Sequence, residues 1–389
     1  MTFSFLSHEK CLIFDEMPVW RGMQARPGVY QTKPFQLFEE KTGLLVQNMS
    51  KELANEVIGR YSREDYTFIT APPGTTQWAK ANALKKLNWL EQQIQGSSPE
   101  MVLEIGSGNT WFAEAFCENF SPRKYICVDP ALPSFDQGVI QTISDYFPSS
   151  KTPDHCFDLI IAFNVLEHVA EPDKVLFEIS ERLNPSGIAI LTVPDCERQL
   201  REGDINCFIH EHITYYTGST LYAALKKCGF DVLKINSRND LFTVLIKKKG
   251  ISEGEIAKVF ESPIGIATVA ESLNFLFDDM ATSLAEALAS GAKVAFHGAT
   301  QGLNTFLHLT DLGKADVSIF DGDETKAGLY LPACQKPVAH YLEEGYSKHD
   351  IIVVSAMSFC DAITRDAGER GIQPEQIWEM NFSTLPAIK

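Results

Sequence analysis

The chain has 389 residues, more than a single hydrophobic core usually holds, so we expect two or three domains. Hydrophobic residues make up 44% of the chain, which excludes global disorder. The 34 basic and 51 acidic residues give a formal net charge of −17, which disfavours binding to nucleic acid or to an anionic membrane surface.

The cysteines and the N-terminus indicate a compartment. The nine cysteines are scattered, and no two of them form a C-x-x-C pair. An odd number of thiols in apolar runs is typical of reduced core residues. The first residues lack the features of a signal peptide, and no apolar run is long enough to cross a bilayer. We therefore expect a soluble cytoplasmic protein.

The first predicted domain, residues 1–80, has prolines between short β-like runs such as 43–47, and we interpret it as a substrate domain or lid. A short helix is predicted over 50–61. A longer helix is predicted over 77–95. Apolar residues three or four positions apart give it one apolar face, which consists of Leu84, Leu87, Leu90 and Ile94.

Strands and helices alternate in the second predicted domain, residues 81–250. Strands are predicted over 101–105, 124–128, 157–163 and 187–193, and helices over 111–120, 171–183 and 218–228. Near-continuous apolar strands joined by amphipathic helices indicate a mostly parallel sheet covered on both faces.

The third predicted domain, residues 251–389, repeats this alternation. A long helical stretch is predicted over 269–288, and strands are predicted over 293–296, 317–320 and 350–355. We predict a second doubly wound α/β domain.

The segment VLEIGSGNT, residues 102–110, joins a strand to a helix through a glycine-rich turn. Gly106 and Gly108 allow a ligand to approach the backbone. The lysine of a phosphate-binding loop and the full G-x-G-x-x-G pattern are both absent. Twenty-five residues after Glu104, the next strand ends at Asp129, whose carboxylate can accept both hydroxyls of a ribose.

With this turn, the segments CVDP, FDLIIAFNVLEHVAEPD and LNPSGIAILTVPD resemble a class I S-adenosylmethionine-dependent methyltransferase. The resemblance implies a Rossmann-like methyltransferase fold, with Gly106, Ser107 and Gly108 beside the cofactor and Asp129 on its ribose. It also implies that Glu104 orients the turn or holds the methionine amine through water, and that Asn164 lines the same pocket. A Rossmann-like unit without cofactor is the alternative.

The segment FIHEHITYY, residues 208–216, contains His210, Glu211 and His212. In an extended segment the two histidines would point to one side and Glu211 to the other. A histidine near its pKa at cytoplasmic pH suits a general base. A metal site is one alternative, although two ligands are too few for it, and a hydrogen-bonded loop is the other.

The H-E-H placed after the methyltransferase core resembles three-domain sugar C-methyltransferases that act on nucleotide-linked 4-keto-6-deoxyhexoses. FHGATQGLNTFLHL, FDGDETKAGLYLPA and DIIVVSAMSF follow in the family's order. The family's N-terminal domain usually holds zinc through two cysteine pairs, whereas this chain has only Cys11 before Cys117, so we predict no structural zinc. The family's tyrosine before H-E-H is Ile209 here, and the candidate substitutes are Tyr66, Tyr215 and Tyr216.

Methylating a carbon requires that the carbon first become a nucleophile. We hypothesise that His212 removes a proton from the carbon next to a ketone, that Glu211 or His210 orients it, and that Tyr66 stabilises the enolate oxygen, with no metal required. We also predict that Tyr215 and Tyr216 contact the substrate. The expected partner is a small-molecule nucleotide-linked keto sugar.

The C-terminal glycine turn is Gly298-Ala299-Thr300-Gln301-Gly302. One interpretation is a nicotinamide dinucleotide site with Asp321 on the ribose, although the turn is not G-x-G-x-x-G. Another is contact with the nucleotide-sugar through Gly298, Gln301 and Asn304, and a third is a ligand-free buttress.

Two other functions remain open for the whole chain. An O- or N-methyltransferase of another small metabolite needs no enolising base. A non-catalytic S-adenosylmethionine-binding scaffold, marked by the lost zinc cysteines, is the other.

Overall fold

The computed structural model describes residues 3–28, 30–61, 72–94, 98–154, 156–249 and 260–381. The chain forms two compact units, each built from segments that are separated along the sequence. Unit 1 consists of Met1–Met49, Cys196–His212 and Ile264–Lys389. Unit 2 consists of Ser50–Asp195 and Ile213–Pro263.

The regular elements agree with the predicted alternation of strands and helices. In chain order the strands are β1 (Ser4–Leu6), β2 (Cys11–Pro18), β3 (Thr32–Glu39), β4 (Leu45–Gln47), β5 (Met101–Ile105), β6 (Lys124–Val128), β7 (Phe135–Gln137), β8 (Ile140–Ile143), β9 (Phe157–Phe163), β10 (Leu183–Pro194), β11 (Thr214–Tyr215), β12 (Phe230–Ser237), β13 (Leu241–Lys248), β14 (Val294–His297), β15 (Val317–Asp321), β16 (Val338–His340), β17 (Ile351–Val354) and β18 (Ile377–Glu379). The α-helices are α1 (Lys51–Val57), α2 (Gln77–Gln93), α3 (Trp111–Phe120), α4 (Pro172–Arg182), α5 (Glu197–Glu202), α6 (Gly218–Lys227), α7 (Ile266–Asn274), α8 (Ala281–Ala289), α9 (Gln301–Leu309), α10 (Tyr341–Glu344) and α11 (Cys360–Glu369).

Unit 2 is built on a mixed sheet with the strand order β12-β13-β10-β9-β5-β6-β8-β7. The central strands from β10 to β8 run parallel, while β13, β12 and β7 are antiparallel to their neighbours at the two edges. Parallel strands joined by helices bring their carboxyl ends to one edge, where open α/β sheets bind ligands. The predicted class I Rossmann-like fold is confirmed.

Helix α2 covers part of this sheet, but its buried face differs by one position from the predicted one. Leu84 is 39% exposed, whereas Ala83, Leu87 and Leu90 are buried in the core of unit 2. Because an α-helix has 3.6 residues per turn, either Ala83 or Leu84 could continue the apolar face that contains Leu87 and Leu90. The larger size of the leucine does not determine which of the two is buried. Packing against the sheet selects Ala83, which allows the helix to approach closely.

The N-terminal strands belong to unit 1, so the predicted division into residues 1–80, 81–250 and 251–389 does not match the compact units. Strands β1 to β4 pair in order as an antiparallel sheet. Phe14 and Phe35 on this sheet contact Phe208 and Phe277 in the same unit. These aromatic contacts give the short N-terminal sheet a core that it cannot build alone, because a small sheet buries too little apolar surface by itself.

The C-terminal part of unit 1 holds an all-parallel sheet with the order β16-β15-β14-β17-β18. The strand order reverses beside β14, which makes this the predicted second doubly wound domain. The predicted long helix over 269–288 is confirmed as α7 and α8, joined without interruption by a π-helical turn over Phe275–Met280.

Candidate active site

The glycine-rich turn links the carboxyl end of β5 to the start of α3. Gly106 and Gly108 have φ angles of 69° and 67°, in the left-handed region that glycine adopts without strain. Gly106 donates its N–H to the carbonyl of Val128 over 2.9 Å, and Gly108 donates to Oδ2 of Asp129 over 2.8 Å. Ser107 is buried between them. The turn is therefore fastened to the end of β6.

Gly106 has no space for a side chain, because a Cβ there would lie 2.6 Å from Cγ2 of Val165. We expect Gly106→Ala to lower the free energy of unfolding by about 1–2 kcal/mol or more and to weaken S-adenosylmethionine binding at least about tenfold, because the turn must move. Urea unfolding and calorimetric titration measure the two effects.

Gly138→Ala is the matched control for this variant. Gly138 also has a positive φ, 62°, but a Cβ at this residue would meet no other atom within 4 Å. We expect a similar backbone cost of about 1 kcal/mol and unchanged cofactor affinity. Equal affinity losses in the two variants would contradict a specific role for the turn at Gly106.

Asp129 directly follows β6 and is 6% exposed. Its Oδ2 accepts from Gly108 and its Oδ1 accepts from Ala131, each over 2.8 Å. Burial raises the pKa of Asp129, and these two backbone hydrogen bonds oppose the rise. Each carboxylate oxygen keeps a further lone pair, so the residue can hold the turn and still accept from a ligand.

Glu104 lies in β5, one residue before the end of the strand, and is almost fully buried. Its Oε2 accepts from the hydroxyl of Tyr125 over 2.8 Å and from the thiol of Cys127 over 3.8 Å. Burial raises the pKa of Glu104 to about 7, and Asp129 adds to the rise while Tyr125 opposes it. Both bonds go to the neighbouring strand β6. Among the described residues, no hydrogen bond joins the Glu104 side chain to the glycine turn that it was predicted to orient.

Asn164 follows β9 with a left-handed φ of 57°, which asparagine tolerates better than most residues. Thr192 on β10 fixes this conformation, since its carbonyl accepts from the Asn164 N–H over 2.9 Å and its hydroxyl donates to Oδ1 over 3.0 Å. The turn directs the chain across the carboxyl edge of the sheet, toward Glu167.

Glu167 is 1% exposed, and neither of its carboxylate oxygens makes a hydrogen bond of good geometry to a described residue, although the Asn164 side chain lies close enough to oppose the rise of its pKa. The nearest ion-pair partner is Nε2 of His168, 3.8 Å from Oε1. Burial raises the pKa of Glu167 to about 8. A buried carboxyl group without hydrogen bonds is costly, which is typical of a site that binds a ligand. Glu167 was not among the site residues predicted from the sequence.

Lys86 was also missed. Its Nζ lies 4.3 Å from the ring centroid of Phe163, the last residue of β9. Burial lowers the pKa of Lys86 to about 8, while the charges of Glu104 and Glu167 act in the opposite direction. The signal was present in the helical pattern, because Lys86 stands three residues after Ala83 on the apolar stripe of α2.

Unit 2 therefore brings together the predicted residues Glu104, Gly106, Ser107, Gly108, Asp129 and Asn164 at the carboxyl edge of one sheet. The glycine turn at Gly106, which leaves no room for a side chain, and the buried carboxyl group of Glu167 are features expected of a site for a polar ligand at this edge. The carboxylates at this edge can accept hydrogen bonds from ribose hydroxyls and an ammonium group, and Lys86 can pair with a carboxylate. A ligand that carries a ribose and an amino acid group has all of these features.

The H-E-H segment lies in unit 1 and is not extended. His210 and Glu211 form a turn, and the N–H of His212 donates to the carbonyl of Ile209 over 3.1 Å. The prediction that His210 and His212 point to the same side assumed an extended segment, and the segment is a turn instead. His210 is buried with its ring 5.7 Å from that of Phe35, whereas His212 is half-buried. His212 is therefore the more exposed of the two histidines.

The tyrosines named as substitutes differ in position. Tyr66 lies outside the described residues. Tyr215 and Tyr216, in unit 2, are both fully buried. Burial raises the pKa of Tyr216, and the charge of Glu167 adds to the rise. Ile213, which follows His212 in the chain, donates its N–H to the carbonyl of Glu167 over 2.6 Å.

In the C-terminal turn, the side chains of Gln301 and Asn304, which were predicted to contact a nucleotide-sugar, each hydrogen-bond to protein groups in unit 1. Gln301 donates to the carbonyl of Asn206 over 2.6 Å, and the N–H of Gly302 donates to Oδ1 of Asn206 over 3.1 Å. Oδ1 of Asn304 accepts from Ala333 over 2.8 Å. Gly298, with φ of 117°, packs directly against Ala356. These contacts fit the buttress interpretation, and contact of Gly298, Gln301 and Asn304 with a nucleotide-sugar stays a prediction.

Asp321 occupies the position that Asp129 has in unit 2, but its surroundings differ. Its Oδ2 accepts both from the N–H of Ala299 and from Nζ of Lys326, each over 2.8 Å. Its Oδ1 accepts from Asp323 over 2.9 Å. The lysine neutralises the carboxylate that a dinucleotide ribose would need, which argues against that interpretation.

Comparison with known proteins accords with these observations. Residues 79–235 match the family described as "Methyltransferase domain", and residues 249–372 match the family described as "C-methyltransferase C-terminal domain". The protein carries an S-adenosylmethionine-dependent methyltransferase domain. Unit 2 holds most of the first match, and the cofactor residues named above lie within it.

The curated and solved relatives are distant. A methyltransferase of uncharacterised function from Mycobacteroides abscessus is 30% identical over 115 residues, which cover 26% of this chain and 44% of that protein. The 1,6-didemethyltoxoflavin-N1-methyltransferase of Burkholderia thailandensis is 13% identical with a TM-score of 0.40 and covers 55% of this chain and 99% of that chain. A methyltransferase from Mesorhizobium loti is 13% identical with a TM-score of 0.34 and covers 42% of this chain and 96% of that chain.

Among the described residues, no helix of this methyltransferase-domain protein has both the length and the apolar character that crossing a membrane requires. None of its nine cysteines forms a disulfide.

Proposed function

We propose that this protein transfers a methyl group from S-adenosylmethionine to the carbon next to the ketone of a nucleotide-linked 4-keto-deoxysugar. The observation that carries the proposal is the C-methyltransferase C-terminal domain, matched by residues 249–372, which follows a methyltransferase domain in the same chain. The sugar class rests on the resemblance of the H-E-H segment and the C-terminal motifs.

The residues at the carboxyl edge of unit 2 support cofactor binding. When bound, S-adenosylmethionine supplies an electrophilic methyl group. The Asp129 carboxylate would accept from the two ribose hydroxyls, and the turn from Gly106 to Gly108 would lie against the methionine part. Because Gly108 and Asp129 hydrogen-bond to each other, cofactor binding at either would be coupled to the other.

His212 is the proposed base. Its neighbour His210 is buried against Phe35, so His212 is the histidine of this segment with access to solvent or substrate. Its imidazole would accept the proton from the substrate carbon, and Glu211 or His210 would hold the turn that orients it. Positioned donors near the ketone oxygen would stabilise the enolate, a role for which Tyr66 remains a prediction.

The test is incubation of the purified protein with S-adenosylmethionine and a panel of nucleotide-linked 4-keto sugars, read by mass spectrometry. We expect a gain of one CH₂ unit on a sugar carbon, and exchange of the neighbouring hydrogen with solvent deuterium when the cofactor is replaced by S-adenosylhomocysteine. Methylation of oxygen or nitrogen without such exchange would overturn the C-methylation proposal. Failure to bind S-adenosylmethionine would overturn the enzyme assignment as a whole.

A further inference from the structure

Lys86 is a lysine on the buried side of a helix, and the proposed chemistry does not use it. It stands between the buried residues Ala83 and Leu90 of α2, and its ammonium group lies over the ring of Phe163. Phe163 directly precedes Asn164, so this ammonium group lies at the same carboxyl edge of the sheet as the glycine turn. A cation over an aromatic face gains from the negative ring face, yet it still loses most of its hydration.

The charges around Lys86 do not satisfy its ammonium group. Glu104 and Glu167 both act on it electrostatically. However, Glu104 uses Oε2 to bind Tyr125 and Cys127, and the oxygens of Glu167 make no hydrogen bond of good geometry to a described residue. An ammonium group has three N–H donors, and in the described part of the chain none of those of Lys86 has an acceptor. The side chain is available for a ligand.

The cofactor carries one group of the matching charge. Its methionine part has an α-ammonium group and an α-carboxylate, and only the carboxylate is negative. The glycine turn, against which the methionine part is expected to lie, supplies backbone groups, while Glu104 and Glu167 suit the cationic end. We propose that Lys86 binds the α-carboxylate of S-adenosylmethionine. This inference rests on the cofactor assignment made in the proposed function.

The experiment compares two ligands and four proteins by calorimetric titration. The ligands are S-adenosylmethionine and its decarboxylated analogue, which lacks only the carboxylate. The proteins are the full-length native chain, Lys86→Met, and Lys85→Met as a matched control, since Lys85 is the preceding residue in α2 and is exposed. Lys86→Arg is a fourth protein that keeps the charge.

We expect the native chain to bind S-adenosylmethionine at least about tenfold more tightly than the decarboxylated analogue, as for one charge-assisted hydrogen bond. Lys86→Met should lose this preference by weakening only the carboxylate-bearing ligand, Lys86→Arg should keep a part of it, and Lys85→Met should behave as the native chain. If Lys86→Met only destabilised the fold, both ligands would be affected equally and the ratio of their affinities would stay as in the native chain.

Two results would overturn the inference. One is an equal weakening of both ligands by Lys86→Met, which is expected if the lysine only balances the charges of Glu104 and Glu167. The other is an unchanged preference for the carboxylate. A native chain that binds neither ligand would instead overturn the cofactor assignment, so the two failures are distinguishable.

Discussion

His212→Ala is expected to lower methyl transfer by about 100- to 10,000-fold, the usual range for a general base, while the affinity for S-adenosylmethionine stays the same. The reason is that the substrate carbon has no other proposed acceptor for its proton. His212 is half-buried, so its removal leaves a small cavity and the fold should persist. Turnover assays and calorimetric titration measure the two quantities, and His212→Asn, which keeps the polar character of the side chain, should be similarly impaired.

The control for this prediction is His8→Ala. His8 is an exposed histidine, 76% accessible, in unit 1, the same unit as His212, and we expect it to have no effect. Solvent-deuterium exchange at the substrate carbon should also disappear in His212→Ala. Near-native methylation by His212→Ala would show that another group removes the proton.

Asp129→Ala is expected to weaken S-adenosylmethionine binding about 100-fold or more. Two hydrogen bonds from the ribose to a charged acceptor are lost, each worth about 1.5–3 kcal/mol. The backbone N–H groups of Gly108 and Ala131 also lose their acceptor, so the free energy of unfolding should fall by about 1–3 kcal/mol per unsatisfied group. Calorimetric titration and urea unfolding measure the two effects.

Asp129→Asn keeps nearly the same shape but only one oxygen acceptor, so one of the two backbone N–H groups would face the amide NH₂ group. It should recover only a part of the stability and only a part of the affinity. Asp136→Ala, which removes an exposed carboxylate from strand β7, should leave affinity unchanged. If Asp129→Ala bound the cofactor as the native chain does, the ribose role would be wrong.

The methyltransferase half of the site was largely predictable from the sequence. The strand, the glycine turn and the acid at the end of the next strand follow one another in the chain, and local geometry favours glycine wherever φ is positive. Gly106, Gly108 and Asp129 therefore lie together as predicted. Lys86 and Glu167 were missed because only the packed helix and the ordered loop after β9 bring them to this edge.

The choice of buried residues was less predictable. A helical stripe is two positions wide, and the sheet surface selected Ala83 over Leu84 in α2. The H-E-H segment illustrates the same point, since a turn closed at Ile209 replaces the extended segment that a spacing of two residues suggested. In a loop, the directions of neighbouring side chains depend on tertiary contacts, such as that between His210 and Phe35, and not on a regular period along the chain.

Length alone determined that this chain needs more than one core, because 389 residues exceed what a single hydrophobic core usually holds. The exclusion of polyanionic partners from the net charge stays a prediction. The pattern of strands, helices and glycine turns, by itself, also determined two Rossmann-like sheets, because hydrophobic periodicity and turn chemistry are local properties. Only the tertiary structure decided that the N-terminal strands share a compact unit with the C-terminal sheet, through aromatic contacts between residues far apart in the chain. It likewise decided which ionisable side chains are buried, since desolvation depends on all neighbours at once and not on sequence order.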